Sequence, residues 1–172
     1  MRAAGVLLAL VLALALQTTL AGLSIGGAVA VNLVLVVVVF VALAFGPVNG
    51  LVAGSVGGLA QDALANGVIG IGGFSKTLVG FLVGVLGAQF IVSQPLPRLV
   101  MFVGATVLHE LCFQALYSLA EVRAFHFAYT TVLTQALVNG LIGIIAFQVV
   151  EAGPGLLQRR RSRGATLNPR RF

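Results

Sequence analysis

The stretch FGPVNGLVAGSVGGLAQDALANG, residues 45–67, decides how this chain folds. Gly46, Gly50, Gly54 and Gly58 recur every four residues, and the next step of four lands on Asp62. On a helix such a row makes one smooth groove where another helix comes backbone-close. Pro47 marks the turn before it, where one helix must end. A carboxylate at the end of the groove is expensive in lipid, so Asp62 needs a polar partner or a wet cavity.

The rest of the chain has a membrane composition. Of its 172 residues, 59% are hydrophobic and 8% charged, and the mean hydropathy is +1.11. A soluble globular domain of this length does not look like this. The length allows about six spans of roughly 20 residues, with no separate soluble domain. Six apolar segments emerge, at about 3–21, 27–45, 48–65, 72–92, 98–119 and 127–151. Arg2 followed by an apolar run and the small-x-small pattern in ALALQ resembles a signal peptide. That run continues to about Leu23 and is read as the first transmembrane helix. The third segment, with its glycines and Asp62, is either a clean span or a broken, re-entrant one. The expected fold class is an all-α integral membrane protein. A six-helix domain at residues 1–157 precedes a mobile polybasic tail at 158–172.

Charge placement sets the orientation. The net charge of +6 would suggest nucleic acid in a soluble protein, but here it gathers in the terminal QRRRSRGATLNPRRF. With six spans, Arg2, Arg98 and the tail share one side, leaving Lys76 and Arg123 on or near the other. The positive-inside rule then places both termini in the cytoplasm. The tail would touch anionic lipid or an acidic protein at ~1 kcal/mol per residue. Tyr117, Phe125, Phe127 and Tyr129 cluster around the last outer loop and mark that interface. The single Cys112 excludes an intrachain disulfide.

The fourth segment carries its own four-residue row: Gly72, Lys76, Gly80, Gly84 and Ala88. Asp62 lies seven residues before Ile69 and Lys76 seven after, so a symmetric hairpin brings them level. Two readings stand. Asp62 and Lys76 form an ion pair or share a hydrogen-bond network, or Lys76 snorkels outward while Asp62 caps the loop. On the fifth segment Glu110 lies about 18 Å into the membrane at 1.5 Å per residue. Thr106, Glu110 and Gln114 share one helical face, and His109 points about 100° away. Adjacent residues do not converge on a helix, so no metal site is expected there. Asn32, Gln17, Gln135 and Asn139 add uncharged polar groups of the kind that glue helices together. No nucleophile–base pair and no phosphate loop is visible. Neither catalysis nor a cofactor is expected.

Residues 31–84 resemble the central signature of the MreD family of rod shape-determining membrane proteins. The resemblance rests on Asn32 opening an aliphatic helix, Ala42-Leu43, Gly46-Pro47, the spaced Gly50, Gly54 and Gly58, and Asp62. It continues through Ile69-Gly70 and Val79-Gly80-Phe81-Leu82. Glu110 and Asn139 stand where polar members are expected. Phe45 departs from the pattern, which has a basic residue before the Gly-Pro turn. The resemblance implies a non-enzymatic, multi-pass protein of the bacterial inner membrane. It implies work beside the single-span MreC, the actin-like MreB and the cell-wall elongation synthases. The implied fold is similar to the six-helix substrate-binding subunits of energy-coupling-factor vitamin transporters.

Two functions are open at this point. In the first, the chain is a scaffold for cell-wall elongation. The groove of Gly46, Gly50, Gly54, Gly58, Gly80 and Gly84 receives an MreC-like segment, and Asp62, Glu110, Lys76, Asn32, Asn139 and Gln114 fix its register. Membrane lipid and a second copy of the chain are further candidate partners; nucleic acid is not. In the second, the chain is a vitamin-type substrate-binding subunit of a transporter, with a ligand near Asn32, Asp62, Lys76 and Glu110.

Overall fold

The computed structural model describes residues 2–20, 24–25, 28–29, 31–65, 68–90, 94–121 and 129–165. Six helices carry the fold: α1 (Arg2–Leu20), α2 (Leu33–Phe45), α3 (Pro47–Leu64), α4 (Ile71–Gln89), α5 (Pro95–Glu121) and α6 (Tyr129–Ala165). Between α1 and α2, the two-residue strands β1 (Ser24–Ile25) and β2 (Ala28–Val29) pair antiparallel. Among the described residues, three stretches are long and apolar enough to cross a membrane: Ile71–Gln89, Pro95–Glu121 and Tyr129–Ala152. Ala4–Thr19 and Leu33–Phe45 are shorter apolar helices. Phe125, Phe127 and Arg123, expected at the last outer loop, lie outside the described residues, as do residues 166–172.

The second helix is shorter than its apolar run suggests. Asn32 starts it late, because its side-chain Oδ1 accepts from the Leu35 amide at 3.1 Å and caps the N-terminus there. An N-cap of this kind satisfies one of the four open amides of a helix start. The remaining 13 residues rise only about 20 Å at 1.5 Å per residue, less than the ~30 Å hydrocarbon layer. This short helix is nevertheless the centre of the bundle. It packs against all five other helices, as an all-round apolar helix must. One side of it joins α4, α5 and α6 in a core built on Leu35, Val39, Val83 and Phe102. The other side joins α1 and α3 through Leu10, Val34, Val38 and Ala53.

The third segment is one continuous helix, not a broken one. Gly46 joins it to α2 at φ +90°, a left-handed conformation that glycine adopts without steric cost. Pro47 occupies the first turn, where a missing amide hydrogen costs nothing. Helices α3 and α4 then run antiparallel with their glycine rows face to face. A Cβ on Gly50 would strike the Gly80 carbonyl, one on Gly54 the Lys76 carbonyl, and one on Gly58 the Gly73 backbone. Gly84 lies in the same way against Pro47. The groove expected to receive a foreign helix is therefore filled by the chain's own α4.

Candidate functional site

The α3–α4 register differs from the symmetric hairpin. Gly54, not Asp62, is level with Lys76. Eight residues separate Gly54 from Asp62, about 12 Å along the axis. Helix α3 thus overshoots the start of α4 by about one turn. This places the Asp62 carboxylate over the open amides of α4. Its Oδ2 accepts from Gly70 N at 2.9 Å and from Gly73 N at 3.0 Å. Gly70 sits at φ +107° to make the turn. Gly72 has to lack a side chain because Asp62 occupies that space. A carboxylate at a helix N-terminus meets both the amides and the positive end of the dipole.

Lys76 neither snorkels nor bonds directly to Asp62. It is only 2% exposed, with Asp62 and Glu110 as the carboxylates in electrostatic reach. Of the two sequence readings, capping by Asp62 is realised, and outward snorkelling by Lys76 is not.

A second polar group of residues surrounds the start of α2. Because this short helix begins inside the bundle, its first amides need protein acceptors. Asn139 Oδ1 accepts from Asn32 N at 3.0 Å, and Gln17 Oε1 accepts from Val34 N at 3.3 Å. Gln17 Nε2 also donates to the Val31 carbonyl at 3.3 Å. Asn139 Nδ2 donates to Thr106 Oγ1 at 3.3 Å, and Thr106 donates back to the Phe102 carbonyl. Asn32 Nδ2 lies 3.4 Å from His109 Nε2. Helices α1, α2, α5 and α6 are thereby tied at one level.

Asp62, Lys76, Asn32, Glu110 and Gln114 all line one polar pocket of about 400 Å³. Every helix other than α2, which contributes its N-cap Asn32, takes part: Gln17 from α1, Gln61 from α3, and Thr131 and Gln135 from α6 extend the polar lining. Gln114 stands one turn along α5 from Glu110 and lines the same pocket. Asn139 stays in the network beneath and does not line the pocket. His109, set aside from the Glu110 face in the sequence, also faces the pocket, with Nε2 4.0 Å from Glu110 Oε1. Its 100° offset matters less than expected because the pocket wraps around α5. Gln61 also lines the pocket, and its place beside Asp62 in the sequence is a usable signal for it.

The geometry is that of a six-helix bundle with a fused glycine seam, an aspartate cap at its turn and a buried polar centre. The family model of rod shape-determining protein MreD matches residues 1–152. The chain belongs to the MreD family. No curated protein and no solved structure matches it. Membership of the MreD family implies a role in determining rod shape, for a membrane protein outside the known enzyme families. In this MreD-family chain the signature residues Asn32, Gly50, Gly54, Gly58 and Asp62 serve the fold: they cap, pack and cap again.

The opposite end of the bundle holds a pair that the sequence did not disclose. Arg98 at the start of α5 grips Glu151 of α6 through two bonds, at 2.9 Å and 2.5 Å. Its guanidinium also lies 4.5 Å from the Phe147 ring centre. The charge pattern counts Arg98 on the cytoplasmic side; in the structure its side chain is packed, 8% exposed.

Proposed function

We propose that this MreD-family protein is a non-enzymatic scaffold of the cell-wall elongation machinery in the bacterial inner membrane. It holds an MreC-like single-span protein and so helps maintain rod shape, with an MreB-like actin homologue and the cell-wall synthases as more distant partners. In this reading the six helices lie in the bilayer, as in energy-coupling-factor substrate-binding subunits, with α2 covering part of its thickness, and both termini are cytoplasmic. The polybasic segment from residue 158 then lies at the inner surface. The placement of Arg2, Arg98 and the terminal arginines supports that orientation.

The observation that carries the reading is the free apolar surface beside α1. The glycine seam is closed by α4, so a partner's span needs another face. Helix α1 packs mainly on α2 and α3. This leaves a cleft of about 430 Å³ between α1, α2 and α6, lined by Gly5, Ala9, Val37, Phe40 and Val150. A second cleft of about 660 Å³ lies between α1, α2 and α3. Small residues on a membrane-facing wall let another helix approach closely. The polar pocket residues Asp62, Lys76, Glu110 and Gln114, with Asn32 and Asn139, support the partner's binding by holding the bundle in register.

Gly5→Leu tests the placement. A Cβ on Gly5 meets nothing within 4 Å, so a larger side chain starts in open space and takes up room in the cleft. Gly104 on α5 is equally open and lies away from the cleft. Co-purification of the tagged protein from its native membrane should lose the MreC-like partner in Gly5→Leu and keep it in Gly104→Leu. Capture at the unmodified level by both variants removes this surface from consideration. Recovery of a second copy of the chain in place of that partner makes the cleft a homodimer contact.

A further inference from the structure

We propose that the pocket lined by Gln61, Lys76, His109, Glu110, Gln114 and Gln135 is a binding site for a small uncharged ligand carrying amide groups. This site is separate from the clefts beside α1, and it stands whether or not a partner binds there.

The charges around the pocket already have counterparts in the chain. Asp62 is held by the Gly70 and Gly73 amides at the positive end of α4. Lys76 lies in the field of Asp62 and Glu110. Beside these charges, three neutral atoms are left over. Gln61 Oε1, Gln114 Oε1 and His109 Nδ1 are buried without a hydrogen-bond partner. Buried polar atoms normally have one, and leaving them bare is costly.

The role of the histidine nitrogen follows from the helix cap. Asn32 Oδ1 accepts from the Leu35 amide, so the atom turned toward His109 is the Nδ2 amide nitrogen. A donor facing Nε2 at 3.4 Å requires a lone pair there. The ring proton therefore sits on Nδ1, which becomes a buried donor with no acceptor. The open set is two acceptors from the glutamines and one donor from the histidine. A carboxamide presents the complement: two N–H donors and one carbonyl acceptor. With Asp62 taken up by the amides, Lys76 and Glu110 balance one another, and an extra full charge would enter a low-dielectric site unbalanced. An apolar molecule would leave all three atoms bare. The volume of about 400 Å³ falls within the range of small-molecule sites.

The test uses the full chain in detergent, labelled with ¹⁵N in the histidine rings. His126→Gln leaves His109 as the sole histidine. The probes are N-acetylglycinamide (neutral), N-acetylglycine (anionic) and glycinamide (cationic). The unliganded ring should show its proton on Nδ1. The neutral probe should shift that nitrogen saturably, with half-saturation at least about tenfold below either charged probe, a difference of about 1.4 kcal/mol. Gln114→Leu and Gln61→Leu should each weaken the response while the thermal unfolding curve is retained. A proton on Nε2, no saturable shift with the neutral probe, or equal responses to all three probes overturns the proposal. An undiminished response in both glutamine variants overturns it as well.

Discussion

Gly54 and Lys76 meet backbone to backbone across the α3–α4 seam, with no room for a β-carbon between them. That contact sets the register of the whole hairpin. It brings α4 against the ridge and carries Asp62 past the first turn of α4. Several mutational consequences depend on it.

Gly54→Leu should damage the fold itself rather than a binding surface. The obstacle is backbone on a packed helix, which cannot swing aside as a flexible side chain does. Overpacking of this type costs typically 1–3 kcal/mol, occasionally more. Thermal unfolding of the purified protein should fall well below that of Gly104→Leu, whose position is open. Equal unfolding temperatures would contradict the seam.

Asp62→Ala removes the acceptor shared by Gly70 and Gly73. Loss of a capping side chain costs about 0.5–2 kcal/mol. Hydrogen exchange at the first amides of α4 should accelerate, with the rest of α4 less affected. Asp62→Asn keeps an acceptor and loses only the charge–dipole part, about 0.3–1 kcal/mol. Exchange at the unmodified rate in both the alanine and asparagine variants would show that the cap carries no weight.

Asn139→Leu should destabilise the protein more than either outer glutamine substitution. It strips the acceptor from Asn32 N and the donor from Thr106 in a site with no exposed surface. An unmet buried group costs about 1–3 kcal/mol. Adding Thr106→Val should cost little further, because the two share one bond. A double-mutant cycle reads this directly, and strict additivity would sever the proposed link.

Arg98→Lys should not substitute for arginine. Lysine lacks the planar fork that holds both Glu151 oxygens and the flat face that lies over Phe147. Glu151→Gln should be milder, because that side chain is 56% exposed while Arg98 keeps its aromatic neighbour. Unfolding midpoints in the order Glu151→Gln above Arg98→Lys are expected, and the reverse order would contradict this account.

Most elements were legible in the chain because their signals are local. The four-residue glycine rows, the Gly46-Pro47 break and the aliphatic run after Asn32 each report on a few neighbouring positions. The start of α2 was misplaced at 27 because hydrophobicity alone cannot see a cap. Asn32 sets the helix start through a single side-chain bond to Leu35. The Asp62–Lys76 level was misjudged because a symmetric hairpin ignores the overshoot of α3. Gly70 at φ +107° permits the turn that accommodates it. Arg98 and Glu151 stand 53 positions apart, beyond the reach of any periodicity argument.

By itself the sequence determined a helical membrane chain, its breaks, and the fact that two small-residue faces exist. Those properties follow from composition and short-range spacing, which hold whatever the helices later pack against. Only the tertiary structure decided that the two glycine faces consume each other. It also decided that polar side chains from distant segments line one pocket. Both outcomes rest on interhelical register, and register is settled by close packing of surfaces that are far apart along the chain.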